Sequence, residues 1–418
     1  MDSSLDMVVV GAGPAGQMAA IAAAERHLRV IVVEQMPRPS LKLIASGGGR
    51  ANLTRTAGRA DFEAAFGRQG RFIGPALGGL GPEALRAFLA HLGVPTRADE
   101  QGRVYPASQR ARDVAEALGR HQRGLGVQLL LGRRVAALDV RDGTLGGVVV
   151  DNGESLAAPC VVLACGGRSW PSLGGTGGGY DLARQAGHTV TALTPALVPL
   201  VAREPWVASL AGVSLADARV RIALSGQPKA GVRGDVLFTH RGLSGPAVLD
   251  LSGDVAQRLA RGRDVPLEIE PIAGMDRRRW DVEILAWRSG QGRRQVGTLL
   301  QQRLPRSLAD ALCELAGVRP QTVAAELPAG GRDALAALLG GLALNVAGTE
   351  GFEKAFVTRG GVKLKEVAPD TLESRVLGGL YIVGELLDLD GPTGGYNLQW
   401  AFASGHAAGR AAGGRQPV

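Results

Sequence analysis

Apolar and polar positions follow three regimes along this chain. An apolar run at 8–10 leads into glycines at 11, 13 and 16, an alanine-rich stretch with helical spacing, and a second apolar run at 30–33. Within residues 7–34 this predicts a strand, a tight turn, a helix and a strand. Residues 60–125 read as mostly helical, with Leu85, Phe88, Leu89 and Leu92 at helical spacing, an interruption at GRVYPASQRARDV and a restart at 113–118. Strand-like runs follow at 127–131, 135–140 and 147–150, the last two separated by Arg141-Asp142-Gly143 as in a small β-meander. The run CVVLACGG at 160–167 reads as a buried strand closing on Gly166 and Gly167.

From Thr189 the texture changes. Short β-like pieces at 197–201, 218–224, 236–239 and 265–269, with turn residues between them, predict a small barrel. Leucines at 304, 308, 312 and 315, then at 335, 338, 339 and 342, make helical stripes. The chain then returns to a strand at 379–383, a glycine loop at 391–395 and an Ala/Gly-faced helix at 396–409. Both ends therefore build one domain around an insertion. The expected division is 1–190 with 356–418, a β-barrel insert of 191–275 with 343–355, and a helical insert of 276–342.

The first glycine cluster carries specific chemistry. In the G-x-G-x-x-G at 11–16, Gly11 permits the turn, Gly13 leaves bare backbone for a diphosphate, and Gly16 lets the helix approach the sheet. Pro14 and Ala15 open a helix whose free N–H groups and positive end suit phosphate. Glu34 ends the second strand, where a carboxylate accepts ribose hydroxyls. Strand, helix, strand and acid together indicate dinucleotide binding.

Residues 7–24 are long and apolar enough to suggest a membrane span. Three glycines and Pro14 at the start, and the acidic MDSSLD before it, argue against a span and a secretory signal. A cytoplasmic protein is expected. Cys160, Cys165 and Cys313 form no C-x-x-C pair, so neither a disulfide framework nor a metal site is expected. Net charge is +8 and the isoelectric point near 9.9. Residues 276–306 hold eight arginines against three acids, a solvated face or a surface for phosphates.

Beyond Glu34, Gly47, Gly48 and Gly49 bring bare backbone close to something, with Arg50 and Asn52 beside it. Gly384-Glu385 ends the last strand, and Gly394, Gly395, Tyr396, Asn397 and Leu398 open the final helix. Residues 174–188 are also glycine-rich, but no strand–turn–helix unit with a terminal acid surrounds them, so a nicotinamide fold is not expected there.

LKLIASGGGRANLT, FTHRGLSGPAVL, GTEGFEKAFVTRGGVKLKEV and GLYIVGELLDLDGPTGGYNLQWAFASG resemble the YhiN/BaiN-type family of bacterial FAD-binding oxidoreductases nearly end to end. The resemblance implies an α/β fold: a discontinuous FAD domain of the two-dinucleotide-binding type, an inserted β-barrel and a small helical subdomain. It implies non-covalent FAD held by Gly11, Gly13, Pro14, Ala15, Gly16, Glu34, Gly48, Gly49, Arg50, Asn52, Gly166, Gly384, Glu385, Gly394, Gly395, Tyr396, Asn397 and Leu398. Glu385 would hold the ribityl hydroxyls, and the final helix would face the flavin. Members have been associated with dihydrouridine synthesis in ribosomal RNA, reduction of unsaturated 3-oxo steroids and oxidation of aminoacetone. The family's loop reads G-G-G-R-C-N where this chain has Ala51.

The leading expectation is an NAD(P)H-linked reductase of an activated C=C bond, with uridine in ribosomal RNA as the specific substrate and NAD(P)H as a transient reductant. His240 and Tyr396 are the candidate proton donors on side-chain chemistry and motif position. For His240 a histidine bonded within the barrel is the alternative. A small-molecule enone reductase, an amine oxidase and a non-catalytic flavin-bearing RNA-binding protein are the other readings.

Overall fold

A computed structural model describes residues 5–228 and 230–413, so residues 1–4 of the acidic start lie outside the described residues. The chain forms two compact units, Met1–Leu193 with Phe356–Val418, and Thr194–Ala355.

The first unit is built on a parallel sheet of five strands: Met7–Val10, Val30–Glu34, Gln128–Leu131, Cys160–Leu163 and Leu380–Ile382. In space they run third, second, first, fourth, fifth. Every residue of Met7–Val10 and Cys160–Leu163 is buried, which explains why these strands read as unbroken apolar runs. Strand order reverses between these two neighbours, and a crevice opens there beyond their carboxyl ends.

Two helices pack face to face on the sheet. Pro14–Ala24 lies against Tyr396–Ala411 because both present small residues. A side chain on Gly405 would overlap the Ala15 carbonyl oxygen, and one on Gly409 would overlap that of Ala19. Ala111–Gly124 covers the turn helix from another side, and the buried Gln17 and Gln122 bond through their side chains at 3.4 Å. The expected meander is present as Val135–Arg141, Thr144–Val150 and Ser155–Ala157.

The second unit contains a closed six-stranded barrel in the order Leu200–Ala202, Gly242–Ser244, Val232–Phe238, Ser214–Ile222, Val265–Glu270, Leu342–Thr349. The expected strand at 197–201 is shorter and shifted, because Leu197 has a left-handed φ of 49°. Helix Pro246–Leu259, absent from the sequence reading, packs against strands from around the barrel through Ala247, Val248, Leu251 and Val255. The helices between Arg277 and Gly340 share one hydrophobic core with the barrel, in which Trp280, Leu308 and Leu335 are fully buried. Three positions of the leucine stripes depart from expectation, the first being Leu304, which lies in the connection before helix Arg306–Leu315. Leu315 is 42% exposed, at the end of a helix stopped by Gly317 with φ 67°. Leu342 begins the last barrel strand, since Gly340 and Gly341 end the helix before it. No helix among the described residues is long and apolar enough to cross a membrane.

Candidate cofactor site

The crevice is shaped by its glycines. Gly11 turns the chain with φ 105°, and an added Cβ would stand 2.5 Å from the Ala164 carbonyl oxygen. A side chain on Gly16 would overlap the carbonyl oxygen of Gly11. Gly13 differs: its φ is −76°, and an added Cβ would meet nothing within 4 Å. The protein itself therefore gives no reason for glycine at 13. Space above it is what the missing side chain preserves. Pro14 takes the first helical position, and the first intrahelical bond is donated by Gln17 N–H to Gly13, leaving the Ala15 and Gly16 N–H groups at the open end.

Glu34 is half-buried and braced on both oxygens. Ala12 N–H donates to Oε2 at 2.7 Å and Met36 N–H to Oε1 at 2.8 Å. Each oxygen keeps a lone pair for a further donor. Beside it lies a cleft of about 540 Å³ lined by Gly11, Glu34, Gln35, Arg133, Cys165 and Gly179, among others. The glycine run after 174 thus joins this cleft as a wall. Arg133 and Arg134 enter because Gln128–Leu131 pairs with the strand that ends in Glu34, a register the sequence does not announce. Burial, and then the Glu34 charge, push the Cys165 thiol up to about 12, so it is a packed wall residue.

The second glycine cluster and the last loop come together. Gly47, Gly48 and Gly49 are all left-handed, and added Cβ atoms on Gly48 and Gly49 would meet nothing within 4 Å. Arg50 is exposed, with its guanidinium 5.0 Å from the Tyr105 ring centre. Ala51 is fully buried with φ 56°. A Cβ on Gly395 would stand 2.9 Å from Asn52 Oδ1. Asn397 closes the loop before its helix, accepting from Gly391 N–H at 2.9 Å and donating to Gly391 O at 2.8 Å. Its side chain is spent on that clasp. What residues 396–398 offer is their backbone N–H groups at the helix start. Tyr396 is fixed by Phe62 and Phe66, at 4.9 and 6.3 Å between ring centres, and by the Arg55 guanidinium at 5.1 Å.

Gly166 and Gly384 mark the ends of adjacent strands, with φ 68° and 67°. Gly384 is held by Ser404 Oγ and Trp400 Nε1 from the final helix. Glu385, expected to hold the ribityl hydroxyls, is braced by protein donors. Its Oε2 takes Lys42 Nζ at 2.6 Å, and its Oε1 takes Ser169 Oγ at 2.8 Å and Thr358 N–H at 2.9 Å. Oε1 is filled by two donors, while Oε2, with one, keeps a lone pair for a further donor. Lys42 also donates to Ser169 Oγ at 2.6 Å. Nothing in the sequence signals this cluster, because its members are brought together only by the fold.

His240 lies in the second unit, in the turn before Gly242–Ser244, exposed and lining a cleft of about 470 Å³ with Glu204 and Arg241. It makes no hydrogen bond among the described residues, so it is not the bonded barrel histidine of the alternative reading.

Residues 5–411 match the family described as HI0933-like protein Rossmann domain. The chain belongs to the HI0933-like family. Among relatives, it is 37% identical to the 3-dehydro-bile acid delta(4,6)-reductase of Clostridium scindens, over 97% of this chain and 98% of that protein. It is 29% identical to the ribosomal RNA dihydrouridine synthase of Escherichia coli, over 96% of each. In fold it is similar to the 3-ketosteroid-delta4-(5alpha)-dehydrogenase of Rhodococcus jostii, with TM-score 0.51, 17% identity and coverage of 98% of this chain and 97% of that one. This HI0933-like protein is an FAD-dependent oxidoreductase. Its crevice fits that cofactor: the open space over Gly13, Gly48 and Gly49 is the room a diphosphate and flavin need against bare backbone.

Proposed function

We propose that this protein reduces a C=C bond conjugated to a carbonyl, using FAD recharged by NAD(P)H. One observation carries the reading. Two relatives matched end to end have names that specify the same chemistry on very different molecules. A 3-oxo steroid with 4,6 double bonds and the base of uridine each present an alkene conjugated to a carbonyl.

In this reading the turn at Gly11–Gly16 and the start of Pro14–Ala24 receive the diphosphate, and Glu34 receives the adenosine ribose. Gly48, Gly49, Arg50 and Asn52 run along the flavin half, with the N–H groups of 396–398 directed at its ring. FAD, once bound and reduced by NAD(P)H, would supply the hydride for the β-carbon. The chain would supply the proton for the α-carbon, and Tyr396 of the first unit and His240 of the second are the two separate candidates for that single donor. Tyr396 brings a hydroxyl on a ring already immobilised by Phe62, Phe66 and Arg55. His240 brings an exposed imidazole without an internal partner. The one five-stranded parallel sheet among the described residues is the sheet assigned here to FAD, so NAD(P)H is proposed as a transient visitor.

Uridine in ribosomal RNA is the specific substrate proposed. Arg277, Arg278, Arg288 and Arg293 are exposed on and after helix Arg277–Gly290 and make no ion pair among the described residues, which suits a phosphate backbone. A small cyclic enone is the second reading, favoured by the 37% identity to the bile acid reductase.

The test is anaerobic reduction of the bound flavin by NADPH, followed by mixing with ribosomal RNA lacking dihydrouridine or with 4-androstene-3,17-dione. Reoxidation by RNA with dihydrouridine in the product supports the first reading. Reoxidation by the steroid alone supports the second. Failure with both, and peroxide release with an amine, would replace the reductase by an oxidase.

A further inference from the structure

We propose that Lys42 and Glu385 form a charge pair that sets the reduction potential of bound FAD, each member pulling it in the opposite direction. The inference rests on the FAD-oxidoreductase reading above.

Lys42 stands in the first turn of helix Leu41–Gly49, and its Nζ reaches Glu385 Oε2 and Ser169 Oγ, each at 2.6 Å. The side chains are 31% and 19% exposed, so the pair is half-buried and open on one side. A half-buried ion pair offers little net stability over apolar groups of the same volume. Yet this one is built with care. Glu385 is oriented by Ser169 Oγ and Thr358 N–H, and Thr358 Oγ1 in turn accepts from Arg168 N–H at 2.8 Å. Gly167 is glycine because of it: a Cβ there would fall on Glu385 Oε1 and Thr358 Oγ1. Stability alone does not account for such a cluster.

Its position does. Glu385 follows Gly384 at the carboxyl end of Leu380–Ile382, and Ser169 follows Gly166 and Gly167 beyond Cys160–Leu163. These strands are neighbours, and ligands of this fold lie outside the carboxyl ends of its strands. Lys42 itself falls in the chain between Glu34 and the open glycine run at Gly48 and Gly49. A two-electron reduction adds negative charge to the cofactor. The ammonium of Lys42 favours that charge and the carboxylate of Glu385 opposes it. Held together they nearly cancel, which leaves the potential sensitive to removal of either one.

The experiment is an anaerobic spectroscopic titration of holoprotein against a reference dye, for the wild type and for Lys42→Met, Lys42→Arg and Glu385→Gln. Lys42→Met should bind reduced FAD about tenfold less well relative to oxidised, a fall of about 30 mV for a two-electron couple. Lys42→Arg should stay near the wild type, and Glu385→Gln should rise. A structural strut would not shift its two halves in opposite directions. Shifts of the same sign, or none in variants that keep FAD, overturn the proposal. If Glu385→Gln loses its flavin, Lys42→Met against Lys42→Arg decides, and equal potentials overturn it. Loss of flavin from both Lys42 variants makes Lys42 a structural residue and also overturns it. Wild-type protein without flavin would instead overturn the cofactor reading beneath it.

Discussion

The α-carbon of Gly16 sits so close to the carbonyl oxygen of Gly11 that no side chain fits between them. Gly13, between the two, faces open space. Three glycines of one motif thus answer to two causes, and substitution separates them. Gly16→Ala forces the turn helix away from the turn and should lower the melting temperature of the apoprotein. Gly13→Val should leave apoprotein melting close to the wild type and abolish FAD retention, read as flavin absorbance per protein. A fully flavinated Gly13→Val would show that the diphosphate lies elsewhere.

Glu34→Ala removes an acceptor braced by two backbone donors and proposed to hold the ribose. Hydrogen bonds to a charged group contribute about 1.5–3 kcal/mol, so FAD affinity should fall by roughly 10- to 150-fold, less than in Gly13→Val. Fluorescence titration of apoprotein with FAD measures it. An unchanged dissociation constant would remove Glu34 from the site.

Cys165 and Cys313 should be inert at neutral pH. Burial pushes them up to about 12 and about 11, the charges of Glu34 and Asp310 adding to it, and Cys160 is buried as well. Iodoacetamide at pH 7.5 should label the native protein at least about 100-fold more slowly than the same chain in denaturant, because only the thiolate reacts. Rapid labelling of Cys165 in the native state would contradict its placement in the cleft wall. The position where the family's loop reads cysteine holds Ala51, and Cys165 stands elsewhere, against the Val10 carbonyl. It does not replace that thiol.

His188 makes stability pH-dependent. Its side chain is fully buried, bonded to Ser374 Oγ at 2.8 Å and to Glu366 Oε2 at 3.2 Å. Burial pulls its imidazole below the ordinary value of 6.5, and the Glu366 carboxylate offsets this only in part. The unfolded chain therefore takes up a proton first as pH falls. Stability is complete above about 6.5 and declines below it towards the folded-state value, with on the order of one proton taken up on unfolding. Denaturant melts between pH 8 and 5 should show that decline, and His188→Gln should lessen it, the remainder coming from His406, which burial also pulls below 6.5. An identical profile in the variant would assign the decline to other groups.

What the sequence made legible followed from local rules. Apolar runs, glycine turns and a terminal acid write the strand–turn–helix–strand at Met7–Glu34 directly, because parallel strands buried on both faces allow little else. The return of strand and glycine after Leu380 revealed the discontinuous cofactor unit for the same reason. Helix Pro246–Leu259 was hidden: its apolar positions sit directly after a Gly-Pro pair that reads as a turn. Lys42, Ser169 and Glu385 were invisible for a different cause. They span 343 positions, and neither a lysine nor a serine carries a signal that names its partner.

The contact of Gly405 with Ala15 and of Gly409 with Ala19 also orders events in time. The turn helix is synthesised early, but the helix that covers its small-residue face comes almost a whole chain later. At about 5–20 residues per second the ribosome leaves that alanine surface bare for on the order of 20–80 s. The sequence of the second unit is finished well inside that interval. Its barrel can therefore close while the cofactor unit waits for its last strand and helix, and FAD meets a complete crevice only once that helix has been made.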